Sequence, residues 1–253
     1  MKMRMTLATA CLAIGAFIGT TAAQAASYSL TSDYSSTSNP NGAWSFNFAG
    51  GPLAHQATVQ NNNALAPAVP AGGYYSPGDD LNLYSPDVIK AAVNGSAAGE
   101  SNADFLAGDV IIHSPNAVTP LTLTWTAPAA GTITNLAAAV WYAHSAISRS
   151  NDVSLSLANV VLTSWTVSKT EHPDRDHPGT FSGAGPYSVN AGDLLTLSFL
   201  KSASESFGSL NGARLSFDFA AAATTPIPAS LPLFASALAG LGWCARRRKQ
   251  QAA

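Results

Sequence analysis

Cysteine is nearly absent. The chain of 253 residues has two, Cys11 and Cys244, both close to its ends. The long interval between them therefore cannot hold a disulfide scaffold or a Cys-ligated zinc site. Charge is also scarce, at 10% of residues, too little for a coiled coil or a long solvated helical bundle. Basic residues are scarcest in the middle. Lys2 and Arg4 lie at one end, and Arg246, Arg247, Arg248 and Lys249 at the other. The interior keeps six basic residues against all fourteen acids, a net charge of −8. Nucleic acid is excluded as a partner, since phosphate binding requires a basic face. Local catalytic signatures are missing too. There is no His-Glu-x-x-His, Gly-x-Ser-x-Gly, phosphate loop or Gly-x-Gly-x-x-Gly. What is present is an apolar content of 47%, too high for disorder throughout.

The ends read as sorting signals. Lys2 and Arg4 precede the apolar run Thr6–Ile18, and Ala23-Gln24-Ala25 follows as a small-x-small site. Residues 1–25 are expected to be a signal peptide, cut by signal peptidase between Ala25 and Ala26. The apolar run is shorter than the roughly 20 residues of a membrane span. At the other end, residues 224–253 hold Pro226-Ile227-Pro228-Ala229, then an uncharged stretch to Ala245, then the basic cluster 246–249. As a helix, residues 227–245 would reach about 28 Å, enough to span a bilayer. The basic end would stay in the cytoplasm.

This three-part tail resembles the PEP-CTERM sorting domain, in its Val-Pro-Leu-Pro-Ala variant, with Thr225 for Val and Ile227 for Leu. The resemblance implies a Gram-negative host, recognition by an exosortase-type enzyme and removal of the tail. It also implies passage from an inner-membrane-tethered intermediate to the cell surface or an exopolysaccharide biofilm matrix. The bland alternative is a plain single-span anchor.

Between the signals, residues 26–223 read as an all-β ectodomain, a β-sandwich or jelly roll. Leu121, Leu123 and Trp125 alternate with threonines, and Val153, Leu155 and Leu157 with serines, the period of a half-buried strand. Asp152–Leu157 and Val160–Val167 form an expected hairpin about Asn159. Trp44, Phe46 and Phe48 make one strand in the first half. Asn61–Asp80 reads as a long loop. Ser85-Pro86-Asp87 reads as a helix cap opening a short helix over Val88–Val93. Four stretches resemble sandwich domains common in bacterial PEP-CTERM proteins: Asn39–Phe46, Trp125–Thr132, Tyr187–Asp193 and Phe207-Gly208-Ser209. They speak to fold, and the resemblance supplies no catalytic residues.

Candidate binding residues follow from chemistry. Tyr74 and Tyr75, after Gly72-Gly73, could present rings to a sugar, since an aromatic face suits the apolar side of a pyranose. Asp79-Asp80 could supply oxygens to Ca²⁺. Lys169–Pro178 gathers Glu171, His172, Asp174, Arg175, Asp176 and His177, and reads mainly as a solvated loop. Trp44, Trp125, Trp141 and Trp165 are expected in the core. No cofactor and no resident metal is expected. The function expected is that of a secreted, non-catalytic surface or matrix protein. A carbohydrate-binding module is the alternative, and a secreted hydrolase with two facing carboxylates the second.

Overall fold

In chain order the strands are β1 (Ala26–Ser29), β2 (Trp44–Phe48), β3 (Gly51–Pro52), β4 (Ala54–Gln56), β5 (Tyr74–Ser76), β6 (Asp87–Lys90), β7 (Val110–His113), β8 (Leu121–Thr126), β9 (Gly131–Tyr142), β10 (Ser150–Leu157), β11 (Val160–Ser168), β12 (Gly179–Gly183), β13 (Tyr187–Val189), β14 (Leu194–Lys201) and β15 (Leu210–Ala221). They come from a computed structural model describing residues 25–57, 74–76, 86–95, 102–223 and 238. The expected signal peptide, sorting motif, apolar helix and basic cluster lie outside the described residues. Among the described residues no helix is long and apolar enough to cross a membrane.

Gln24–Ala222 form one compact unit, built from two antiparallel sheets. The larger runs β12-β9-β15-β7-β6-β5-β4. In it, β13 extends the β12 side of β9, and β1 lies beside the later part of β15. The smaller runs β11-β10-β14-β8-β2-β3. Alternation decides which faces meet. Phe46, Leu121, Leu123, Trp125, Val153, Leu155, Leu195, Leu197 and Phe199 turn inward from the smaller sheet. Ile133, Val140, Ala213, Leu215, Phe217 and Phe219 meet them from the larger. Trp125 stands edge-on to Phe217 at 4.9 Å and to Phe219 at 5.3 Å, and Tyr28 stacks on Phe217 at 5.3 Å. Such pairs add about 0.5–1.5 kcal/mol each beyond their buried area. The two sheets therefore form a sandwich.

The opposite face of the smaller sheet carries short polar side chains in register. Ser45, Thr124, Thr196 and Ser156 form one cross-strand row, and Asn47, Thr122, Ser198, Ser154 and Ser164 the next. The alternation read from the sequence is this division between core and solvent.

Two expectations fail here. Val88–Val93 is not a helix, because Asp87–Lys90 pairs with β7 from Asp87↔His113 to Lys90↔Val110. Val88 and Ile89 are buried and β-branched, which suits a pleated sheet. Asp87, expected in a first helical turn, instead accepts the His113 N–H. The stretch read as a loop over 61–80 contains β5, paired with β4 and β6.

The outer face of the larger sheet carries a second apolar cluster of Ile89, Ala91, Phe105, Ile111, Trp141, Ala143 and Leu210. Gly212 faces Trp141 across the β15–β9 ladder, and a Cβ there would lie 2.1 Å from two indole carbons. Only glycine lets the indole lie flat on the strand. The Trp141 N–H donates to the Asp104 carbonyl at 2.8 Å, and the Arg214 and Arg175 guanidinium carbons sit 5.2 and 5.7 Å from its ring.

Candidate functional site

Chain direction sorts the loops into two ends. β1 starts opposite Phe219 and β9 starts opposite Ala221, so the end of β15 lies beside the start of the domain. The far end collects the loops 114–120, 143–149 and 202–209, which follow β7, β9 and β14. This far rim is the best organised polar region.

Its base is a buried polar knot between the sheets. Asn151 on β10 donates to Ser209 Oγ and, at 3.0 Å, to Asn211 Oδ1 on β15. Ser114 donates its hydroxyl to Asn151 Oδ1 and accepts the Ser209 N–H at 2.9 Å. Asn211 Nδ2 returns to the Ser209 carbonyl at 2.9 Å. Ser114, Asn151 and Asn211 are fully buried, so each hydrogen bond replaces water that cannot reach them.

On this base sits the 202–209 loop. Gly208 is required there, because a Cβ would fall 2.0 Å from the Ser114 carbonyl oxygen. The Gly208 carbonyl accepts from Arg149 Nη1 at 2.6 Å, and its N–H donates to Asn116 Oδ1 at 2.8 Å. Glu205 Oε1 accepts from the Ser150 N–H and hydroxyl, while Lys201 Nζ donates to the Glu205 carbonyl at 2.6 Å. Phe207 is left 47% exposed, with the Arg149 guanidinium carbon 5.0 Å from its ring centre. Among the described residues, the other aromatic side chains of known burial are buried or half-buried. An aromatic face beside a guanidinium can take the apolar side of a small ring and hydrogen-bond its edge.

His113 lies beneath this rim. Its Nδ1 is 2.9 Å from the Ser114 carbonyl, which calls for the proton on Nδ1. Loss of hydration pushes its pKa down to about 4, opposed by that hydrogen bond and helped by Arg149 and His144. The imidazole is therefore neutral at pH 7. Tyr142 donates its hydroxyl to the Ile147 carbonyl at 2.7 Å, tying down the 143–149 loop.

The residues singled out in the sequence fare differently. Tyr75 is completely buried. It packs against Tyr34 and Phe46, and its hydroxyl donates to the Ser35 carbonyl at 2.8 Å. It is a core residue and not a glycan contact. Tyr74 pairs with Gln56 on the β4–β5 ladder. Asp79 and Asp80 lie outside the described residues. Among those described, no group of three or more His, Cys, Asp or Glu could hold a metal. The 169–178 loop is not merely solvated. Arg175 Nε sits 2.9 Å from Asp109 Oδ2, and the Arg175 N–H donates to Asp104 Oδ2 at 2.6 Å. Asp174 accepts from the His177 backbone and ring and from the Asp176 N–H, closing the loop on itself. Trp44, Trp125 and Trp141 are buried, and Trp165 is half-buried against the core.

Sequence reasoning passed over Phe207 and Arg149. Phe207-Gly208-Ser209 was read only as a fold resemblance, and Arg149 stood alone. A large ring immediately before an obligatory glycine was the available signal.

No family model matches the chain, and no curated protein matches it. Among solved structures, a family 35 carbohydrate binding module from Clostridium thermocellum is 14% identical. That match covers 51% of this chain and 86% of the module, with a TM-score of 0.28. The carbohydrate-binding module CBM36 in complex with calcium and xylotriose is 10% identical, over 48% of this chain and 87% of that one, with a TM-score of 0.22. Overlap of this extent assigns no ligand.

Proposed function

We propose that this is an exported, non-catalytic protein that displays its β-sandwich at the cell surface or in an exopolysaccharide matrix. The observation that carries the reading is how the domain is entered and left. β1 begins at Ala26, one residue after the expected signal-peptidase site, and its four residues pair with Phe219 to Ser216 of β15. Asp218 accepts hydrogen bonds from the Ser27 hydroxyl and the Asn135 amide, which hold its carboxyl below the usual range. The new N-terminus and the strand leading to the tail are thus clipped together at one end, and the far rim faces away from them. In this reading an exosortase-type enzyme acts on the tail at Pro226–Ala229. The basic cluster 246–249 would fix the orientation until release.

The test is intact mass of the protein from membrane and medium fractions of its native host. Loss through Ala25, with a second cut near Pro226–Ala229, is the expected result. An Arg-rich end retained in every fraction would make the tail a plain anchor and overturn the sorting step.

One observation favours a second reading, carbohydrate binding: the exposed Phe207 ring fixed beside Arg149. Pull-down on matrix polysaccharides by the full chain, lost in Phe207→Ala with folding unchanged, is its expected result. No retention by the full chain on any of them would remove it. For the hydrolase reading, the two buried acids among the described residues are already engaged. Asp87 accepts from His113, and Asp109 from Arg214, with Arg175 alongside.

A further inference from the structure

The solvent face of the smaller sheet treats its polar groups in two ways. Toward β2 and β8 they satisfy one another. Thr122 donates to the Asn47 carbonyl at 3.5 Å, Asn47 Nδ2 to the Ser45 hydroxyl at 2.9 Å, and the Thr124 and Thr196 hydroxyls lie 3.5 Å apart. Toward β10 and β11 they do not. There Leu200, Asp152 and Thr166 form one cross-strand row, and Ser198, Ser154 and Ser164 the next. The four hydroxyls of these two rows have no hydrogen-bond partner among the described residues.

Both rows line an open groove of about 360 Å³. That is the lower end of the range of ligand clefts. Asp152 is its one charged lining residue. The Ser202 hydroxyl donates to Asp152 Oδ1 at 2.7 Å, while Oδ2 has no partner among the described residues. The carboxylate is thus held at one oxygen and open at the other. Water holds such groups until a ligand reproduces its hydrogen bonds, and a polyhydroxylated ligand does so.

We propose that this groove binds a polysaccharide carrying free amino groups. Asp152 accepts from the sugar ammonium, and Ser154, Ser164, Thr166 and Ser198 bond the neighbouring sugar hydroxyls. Charge selects the occupant. An interior of net charge −8 repels a uronic-acid chain and draws a cationic one. A carboxylate also bonds an ammonium about twice as strongly as a neutral pair bonds. A lysine-rich peptide would satisfy Asp152 alone and leave the four hydroxyls to water. The inference rests on the carbohydrate reading for its ligand class, but Phe207 and Arg149 do not line this groove.

The experiment is calorimetric titration of the full chain with a glucosamine hexamer, its N-acetylated counterpart and a lysine hexamer. At about pH 6 the sugar amine is protonated, and about 150 mM sodium chloride confines diffuse attraction to about 8 Å. Asp152→Asn, Ser164→Lys and Phe207→Ala are run beside the wild type. Asp152 and Ser164 are exposed, and a lysine at 164 puts positive charge in the groove with the Asp152–Ser202 bond intact. The glucosamine hexamer is expected to bind, and the acetylated one about tenfold more weakly or worse. Asp152→Asn and Ser164→Lys should each cost about tenfold or more, with unchanged circular dichroism, and Phe207→Ala nothing. No binding of the glucosamine hexamer overturns the proposal. So does equal binding of the acetylated or the lysine hexamer, or indifference to both groove variants. Loss in Phe207→Ala alone would leave the carbohydrate reading standing and remove this groove from it.

Discussion

Replacing Gly212 with alanine is expected to destabilise the sandwich by about 3 kcal/mol. The new methyl would lie 2.1 Å from Trp141 Cε2 and Cζ2 and 2.7 Å from Cη2. An ordinary contact needs the ring to retreat by well over an ångström. The ring is not free to do so, being tied to the Asp104 carbonyl and flanked by Arg214 and Arg175. Overpacking of this kind costs about 1–3 kcal/mol, and an indole N–H pulled from its buried partner about 1–3 more. The lower chain entropy of alanine returns about 0.4–1 kcal/mol. For a domain of this size, the net loss corresponds to a fall in Tm of about 6–12 °C. Urea unfolding followed by tryptophan fluorescence measures it, with Trp141→Leu and the double variant completing a cycle. The clash should vanish in the Trp141→Leu background, giving a coupling of about 2 kcal/mol. A loss below about 1 kcal/mol, or additive single variants, would mean that the indole is not held as described.

Acid should weaken the fold through His113. Its folded pKa is depressed to about 4, so the unfolded state binds the proton more readily between pH 6.5 and 4. Stability is full above about pH 6.5 and falls by up to about 3 kcal/mol as pH drops to 4, and His113→Asn should flatten that slope in urea titrations. A slope unchanged in the variant would assign the acid sensitivity elsewhere. Asn151→Leu strands Ser114, Ser209 and Asn211 in the buried knot, and should cost about 3–5 kcal/mol in urea unfolding. Asn151→Leu should also loosen the 202–209 loop, read as faster amide exchange around Phe207.

The sandwich was legible wherever one face of a strand meets water. The period-two runs at 121–126 and 153–157 were readable as strands because their apolar side chains alternate with hydroxyls on the opposite face. Where both faces are covered, the pattern vanished. Val88-Ile89 is buried on one side by the main core and on the other by the Trp141 cluster, so a local cap signal at 85–87 looked stronger than it was. Pairing with β7 overrode it. β12 escaped notice because Gly179 and Gly183 carry no side chain to alternate. Each glycine instead makes room for a neighbouring ring, Trp165 or Tyr187. The rim was illegible for a different reason. Asn151, Ser114 and Asn211 look like solvated residues one by one, and only the meeting of β10, β15 and the 114–120 loop makes them a buried knot. Tyr75 was misjudged for the reverse reason. Its glycine-rich approach suggests a loop, but β5 carries it inward beneath Tyr34.

Five of the six interior basic residues end on internal oxygens. Lys90 reaches the Thr31 carbonyl, Arg149 that of Gly208 and Lys201 that of Glu205, while Arg175 and Arg214 share Asp109. Positive charge here serves chiefly to pin loops to sheets.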